Sequence, residues 1–100
     1  MQASAIAVIG AGSYGTALAI CLARNGNTIS LWGRNSDDIA LMAQQRLNQK
    51  YLPDIRLPDS LQVTDNLADA AGSSRDILIV VPSHAFAQTL QQIKPFLQPN

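Results

Sequence analysis

The segment VIGAGSYGTALA near the N-terminus limits the possible folds of this chain more than any other feature. Its three glycines, Gly10, Gly12 and Gly15, have the spacing G-x-G-x-x-G. The continuously apolar run Ala5–Ile9 leads into them, and such a run is typical of a strand buried on both faces in a parallel sheet. A helix is predicted over 13–25. The segment therefore predicts a strand, a tight turn and a helix in immediate succession.

The rest of the chain continues to alternate between strands and helices. This order predicts an α/β fold of Rossmann type, a parallel sheet with helices on both faces. We expect the spatial strand order 3-2-1-4, with the wholly apolar fourth strand in the centre. Gly10 would then face Pro82 across a crevice at the carboxyl ends of strands one and four, where open α/β sheets bind ligands. The predicted strands are Ala5–Ile9, Thr28–Trp32, Leu61–Thr64 and Ile77–Val81.

Apolar stripes predict the buried faces of the first and last helices. In the first helix the stripe is Ala17, Leu18, Cys21 and Leu22, with further small apolar residues around it. Cys21 is therefore expected to be a small buried hydrophobe rather than a reactive thiol. In the last helix the predicted core-facing residues are Phe86, Leu90 and Ile93, with Leu97 as a further candidate.

Capping residues and prolines predict the boundaries between elements. Ser36 is expected to cap the second helix and Asp65 the third, because short polar side chains accept hydrogen bonds from free helix amides. Residues 48–60 contain two prolines and are predicted to be an extended loop.

The glycine motif has a chemical interpretation in this context. Gly10 permits the tight turn, Gly12 lets the backbone approach a diphosphate, and Gly15 lets the helix pack closely on the strand. The first amides of the helix lack internal partners and face negative charge favourably. Ser13 and Tyr14 occupy that position, so the motif predicts a dinucleotide site. A tight turn with no ligand is the plain structural alternative.

The end of the second strand indicates which dinucleotide is favoured. An NAD site usually carries a carboxylate there for the ribose 2′-hydroxyl. This chain has Arg34 instead, and a guanidinium pairs well with a 2′-phosphate. NADP is therefore predicted as the preferred cofactor, with NAD as an alternative, unless Arg34 is only a solvated surface residue. The missing acid also disfavours S-adenosylmethionine-dependent methyltransferases. Pro82 is predicted either to form an apolar wall near the nicotinamide or simply to end its strand.

Composition excludes several other classes. The formal net charge is zero and no long basic run occurs, which argues against nucleic-acid binding. No apolar run approaches the length of a membrane span, and no signal peptide is recognisable, so a cytoplasmic location is expected. No cluster has metal-ligand spacing.

Four segments together resemble the N-terminal part of bacterial NAD(P)-dependent glycerol-3-phosphate dehydrogenase: VIGAGSYGTALA, LWGR, NQKYLPDIRLPDSL and ILIVVPSHAF. The resemblance implies NAD(P)H-dependent reduction of dihydroxyacetone phosphate to sn-glycerol 3-phosphate, a phospholipid precursor. It also implies that Ser13, Tyr14 and Arg34 contact the cofactor. Tyr51 matches a further contact on the adenosine side, although an aromatic anchor for its loop is an equal interpretation.

The resemblance further implies that the catalytic groups are not in these 100 residues. In the family, a lysine shortly beyond the position of residue 100 contacts both the substrate and the nicotinamide, and Lys94 is no substitute for it. A helical domain further on supplies the general base and the phosphate-binding groups. The chain is therefore expected to be an incomplete cofactor domain, inactive alone, with a homodimer left open. Two alternatives remain open. The chain could be the cofactor domain of a ketopantoate or 3-hydroxyacid-type reductase, or it could be a non-catalytic nucleotide-binding module.

Overall fold

A computed structural model of the chain describes residues 5–50, 52–72, 74, 76–81 and 83–96. Tyr51 and Pro82, two of the predicted site residues, lie outside that part. The strands of the described part are β1 (Ala5–Ile9), β2 (Thr28–Trp32), β3 (Leu47–Asn48), β4 (Leu52–Arg56), β5 (Leu61–Thr64) and β6 (Asp76–Ile79). Its helices are α1 (Ser13–Arg24), α2 (Ser36–Gln45), α3 (Leu67–Gly72) and α4 (Ser83–Ile93), followed by a 3₁₀ turn (Lys94–Phe96).

Four parallel strands form the main sheet, in the order β5-β2-β1-β6. This order confirms the predicted arrangement 3-2-1-4. Ile9 aligns with Trp32 on one side and with Ile79 on the other, so the carboxyl ends of the three strands lie at one edge of the sheet. Loops that leave this edge surround a common space.

The described residues do not show the central position predicted for the fourth strand. Within the described residues, β6 pairs only with β1 and lies at the end of the sheet. Leu78 is accordingly 38% exposed despite its apolar surroundings in sequence. Apolar composition predicts that a strand can be buried, but it does not specify how many neighbouring strands it has.

Apolar side chains cover both faces of the sheet. On one face α1 and α2 pack over Val8, Ile29 and Leu31. On the other face, residues of α3 pack with Ile9 and Trp32. The alternation of strand side chains between faces produces these two cores, and the predicted layer arrangement is confirmed.

Part of the segment predicted as an extended loop is a hairpin. β3 and β4 pair antiparallel, with an irregularity between Leu47 and Asn48. Arg46 anchors the hairpin: its backbone is left-handed, with φ 58°. Its Nη2 donates to the carbonyl oxygens of Pro58 and Leu61, each at 2.7 Å. A two-stranded ribbon tolerates prolines because many of its amides need no strand partner.

The buried helix faces differ from the predicted stripes. In α1 the buried residues are Gly15, Thr16, Ala19, Ile20 and Ala23, and Cys21 is exposed. Nearly every position of this helix is small or apolar, so periodicity does not distinguish one face from another. In α4 the buried residues are Ala85, Thr89 and Ile93, whereas Phe86 and Leu90 are exposed. Of the described residues in the predicted stripe, only Ile93 is in the core, and Leu97 lies outside the described residues.

Asparagines take the capping positions predicted for Ser36 and Asp65. Asn35 Oδ1 accepts a hydrogen bond from the Asp38 amide at 3.0 Å. Asn66 Oδ1 accepts in the same way from the Asp69 amide at 3.0 Å. Each cap is displaced by one residue, because two adjacent polar residues both have the required chemistry.

Replacing Thr89 by valine is expected to leave the protein as stable or to stabilise it by about 1 kcal/mol. In the described structure Thr89 Oγ1 is buried and has no hydrogen-bond partner. Valine has the same shape without the desolvated hydroxyl. Chemical denaturation of both proteins checks this expectation, and a loss above about 1 kcal/mol would reveal a hydrogen bond to that hydroxyl.

Candidate functional site

A cavity of about 370 Å³ opens at the carboxyl edge of the sheet. The glycine loop forms one wall and the end of β2 forms another. The exposed turns of α2 and the hairpin complete it, with the residues after β6 on the remaining side. The segments that line it include Gly10–Gly12, Trp32–Asn35, Leu47–Lys50 and Val80–Val81.

Gly10 and Gly15 make this wall possible by leaving no room for side chains. Gly10 has φ +126°, and a Cβ there would lie 2.0 Å from the Val80 carbonyl oxygen. A Cβ on Gly15 would lie 1.9 Å from the Gly10 carbonyl oxygen. The loop therefore packs against the end of β6 and the start of α1, as predicted for the first and third glycines of the motif.

Gly12 differs from these two, because no described atom beyond its two chain neighbours lies within 4 Å of the place where its Cβ would stand. Its φ of −77° suits any residue. The fold therefore does not require glycine at this position, yet Gly12 lines the cavity. Because glycine has no side chain, a ligand in the cavity could approach the backbone closely at this position.

The N-terminus of α1 is left open beside Gly12. No side chain of the described part caps this helix, and its first turn has no acidic residue. In contrast, α2 has the Asn35 cap together with Asp37 and Asp38 in its first turn. The amides of Ser13 and Tyr14 lie at the positive end of the helix dipole, and no side chain of the described part neutralises that end. They therefore favour binding of an anion.

The opposite wall carries charge. Arg34 and Lys50 line the cavity, as does the carboxylate residue Asp38. Arg34 is exposed, and within the described residues no hydrogen bond or ion pair engages its guanidinium. This part of the wall can bind an anionic group, with one carboxylate nearby to oppose it.

An apolar wall lies between these polar regions. Trp32 is nearly buried, and its Nε1 donates to the Asp65 carbonyl oxygen at 3.0 Å. Ile39 and Met42 of α2 also line the cavity. Gly33 allows this approach, because a Cβ on it would meet Ile39 Cδ1 at 2.7 Å. A flat aromatic ring fits such a surface.

The structure brings together part of the predicted site. Gly10, Gly12 and Arg34 line the cavity. Ser13 and Tyr14 begin α1 directly beside it, with Tyr14 71% exposed. Gly15 is buried behind the loop and supports its shape.

Sequence reasoning missed several residues of the cavity. Asp38 and Lys50 line it, and so does Asn48, whose side chain contacts the glycine loop. The hairpin was predicted as a loop, so its proximity to the motif was not foreseen. The signal available for Asp38 was its place in the first turn of α2, since that helix begins at the ligand-binding edge of the sheet.

The parallel sheet with helices on both faces is a fold of Rossmann type, and its cavity lies at the edge where open α/β sheets bind ligands. The family model of the NAD-dependent glycerol-3-phosphate dehydrogenase N-terminus matches residues 5–100. The chain therefore belongs to this oxidoreductase family.

Individual relatives agree with this assignment. The glycerol-3-phosphate dehydrogenase [NAD(P)+] of Pseudoalteromonas translucida is 64% identical over 95 residues, which are 95% of this chain and 28% of that protein. The protein of the same name from Tolumonas auensis is 56% identical over 99% of this chain and 30% of its own length. The crystal structure of glycerol-3-phosphate dehydrogenase from Coxiella burnetii has a TM-score of 0.92 at 40% identity, covering 97% of this chain and 30% of its own.

The chain thus spans about 30% of the length of such relatives. No helix in the described part has the length and apolar character needed to cross a membrane. Among the same residues, no three histidine, cysteine, aspartate or glutamate side chains converge as a metal site requires.

Proposed function

We propose that this chain binds a nicotinamide dinucleotide with its diphosphate at the N-terminus of α1. The observation that carries the proposal is the pairing of an uncapped helix start with the open space beside Gly12. The amides of Ser13 and Tyr14 donate to the diphosphate, and Gly12 admits it without a clash. Gly10 and Gly15 hold the loop in the shape that this requires.

The adenosine half occupies the wall formed by β2 and α2. Ile39 and Met42 line the cavity and would offer an apolar surface to the adenine. Arg34 lines the same cavity, and its guanidinium would pair with the ribose 2′-phosphate. We therefore propose NADP as the preferred cofactor. Asp38 limits this preference, because a carboxylate repels a phosphate but accepts a hydrogen bond from a ribose hydroxyl. NAD binding is proposed as the weaker alternative, with Tyr51 as a further contact on the adenosine side.

The nicotinamide end extends toward β6, where Val80 and Val81 line the cavity and Pro82 is proposed to continue the wall. When bound, the cofactor would supply the hydride that reduces dihydroxyacetone phosphate to sn-glycerol 3-phosphate. The residues of this chain bind and orient it, and substrate-binding and proton-transferring groups are proposed to come from the remaining length that its relatives have. The family match favours this reaction over those of ketopantoate and 3-hydroxyacid-type reductases. A cytoplasmic location and a homodimer remain part of the proposal.

Replacing Arg34 by alanine is expected to weaken NADPH binding by about 1.5–3 kcal/mol, because hydrogen bonds to charged groups contribute about that much. NADH lacks the 2′-phosphate, so its affinity should change little. Calorimetric titration with each dinucleotide measures both values. Quenching of Trp32, the single tryptophan and a cavity residue, gives an independent readout.

Arg24 provides a matched control, because it is an exposed arginine in the last turn of α1, at the far end of the helix from the cavity. Arg24→Ala removes the same charge and should leave both affinities unchanged. Equal weakening of NADPH and NADH by Arg34→Ala would contradict the assignment of Arg34 to the 2′-phosphate.

A further inference from the structure

Asn48, the last residue of β3, connects the hairpin to the glycine loop. Its side chain is 3% exposed. Nδ2 donates to the Ala11 carbonyl oxygen at 3.0 Å and to Thr16 Oγ1 at 2.8 Å. A carbonyl oxygen can only accept, so the NH₂ group of Asn48 must be the atom that faces Ala11. Both contacts reach the segment that carries the G-x-G-x-x-G motif.

The contact with Ala11 sets the direction of a neighbouring amide. Ala11 and Gly12 share one planar trans peptide unit, in which the carbonyl and the N–H point in opposite directions. Holding the Ala11 carbonyl therefore fixes the direction of the N–H of Gly12, a residue that lines the cavity. Ala11 lies between two glycines, whose backbone has little conformational preference of its own. An anchor outside the loop restricts it.

The contact with Thr16 fixes the other end of the same segment. Thr16 is fully buried in the first turn of α1, and its N–H donates to the Gly12 carbonyl oxygen at 3.0 Å. Asn48 therefore bridges the loop and the first turn of the helix. Its own position is defined by the anchored hairpin, because Leu57 N donates to the Arg46 carbonyl oxygen at 2.7 Å.

We propose that Asn48 is a positioning residue, which holds the glycine loop in the geometry that binds a diphosphate. This inference rests on the proposed function and deepens it, because it assigns Asn48 to one part of the ligand. Loss of its hydrogen bonds frees the Ala11–Gly12 peptide to rotate. Binding of a diphosphate should then weaken, while binding of an adenosine phosphate that lacks the diphosphate should not.

The test compares two probes on the intact protein: NADPH, and 2′-AMP, which has the adenosine and the 2′-phosphate but no diphosphate. Asn48→Leu keeps nearly the shape of the side chain and adds no charge to the cavity, but it cannot donate to Ala11. This variant is expected to bind NADPH roughly tenfold more weakly, with unchanged affinity for 2′-AMP. Thr16→Val, which removes one of the two acceptors, should cause a smaller loss in the same direction.

Ser74→Ala is the matched control. Ser74 is also 3% exposed, and its Oγ donates to the Ala70 carbonyl oxygen at 2.7 Å, away from the cavity. It should lower the melting temperature without changing either affinity. If the Asn48 and Thr16 variants lose affinity for both probes equally, or for neither, the positioning role is wrong. If the unsubstituted protein binds 2′-AMP but not NADPH, the proposed function itself fails and this inference fails with it.

Discussion

Gly10→Ala is expected to cost about 3–5 kcal/mol of folding free energy, because it combines backbone strain with a clash in a packed region. The added Cβ would lie 2.0 Å from the Val80 carbonyl oxygen at a residue with φ +126°. A carbonyl oxygen in a strand connection cannot move aside as the end of a flexible side chain can. Since small domains are stable by only about 5–15 kcal/mol, much of the protein should unfold at moderate temperature.

A substitution at Gly26 measures the cost of backbone strain without the clash. It also has positive φ, at +94°, but no atom lies within 4 Å of its Cβ position. Gly26→Ala should therefore cost only the backbone strain, about 1–2 kcal/mol. Urea denaturation of the two variants measures the difference. Equal losses for Gly10→Ala and Gly26→Ala would show that the loop is not packed against β6 as described.

Gly12→Ala is expected to keep the fold and to weaken dinucleotide binding roughly 10- to 100-fold, which corresponds to an overpacking cost of about 1–3 kcal/mol. Beyond the two chain neighbours, nothing in the described protein lies within 4 Å of the new methyl group, and the backbone φ of −77° accepts alanine. Stability should change by no more than about 1 kcal/mol, the usual effect at a helix N-cap. The methyl group meets only the ligand.

Gly72→Ala is the control for this variant, because its Cβ position is also open but lies at the end of α3. It should bind NADPH and NADH as the unsubstituted protein does. Titration followed by Trp32 fluorescence, together with melting temperatures, compares the two variants. Full affinity in Gly12→Ala would mean that the diphosphate does not approach the loop at Gly12.

The strand order was predictable because local signals and topology agree. An apolar strand, a glycine turn and an amphipathic helix in succession leave few alternatives to a parallel sheet. The packing of Gly10 against the residues after β6 follows from that order. The edge position of β6 was not predictable, because apolar residues such as Leu78 occur equally in strands with one neighbour or two.

Of the predicted site residues, Gly10, Gly12 and Arg34 line one cavity, and the prediction did not include every residue that lines it. Gly10 and Gly12 belong to a contiguous motif with a defined geometry, and Arg34 follows the end of the second strand, so the sequence could place all three at the same edge of the sheet. Asn48 could not be placed in this way, because its contact with Ala11 joins residues that are 37 positions apart. That contact depends on a hairpin, and the prolines of the segment had led to the prediction of a loop there. Long-range hydrogen bonds of this kind depend on the register in which the strands pair, and this register cannot be predicted from the sequence alone.

A crystal structure of the intact protein with NADPH tests the central claim most directly. The diphosphate oxygens should lie about 3 Å from the amide nitrogens of Ser13 and Tyr14, within hydrogen-bond distance. The 2′-phosphate should lie against Arg34. A diphosphate bound elsewhere in the cavity, with the amides at the start of α1 facing only water, would contradict the account.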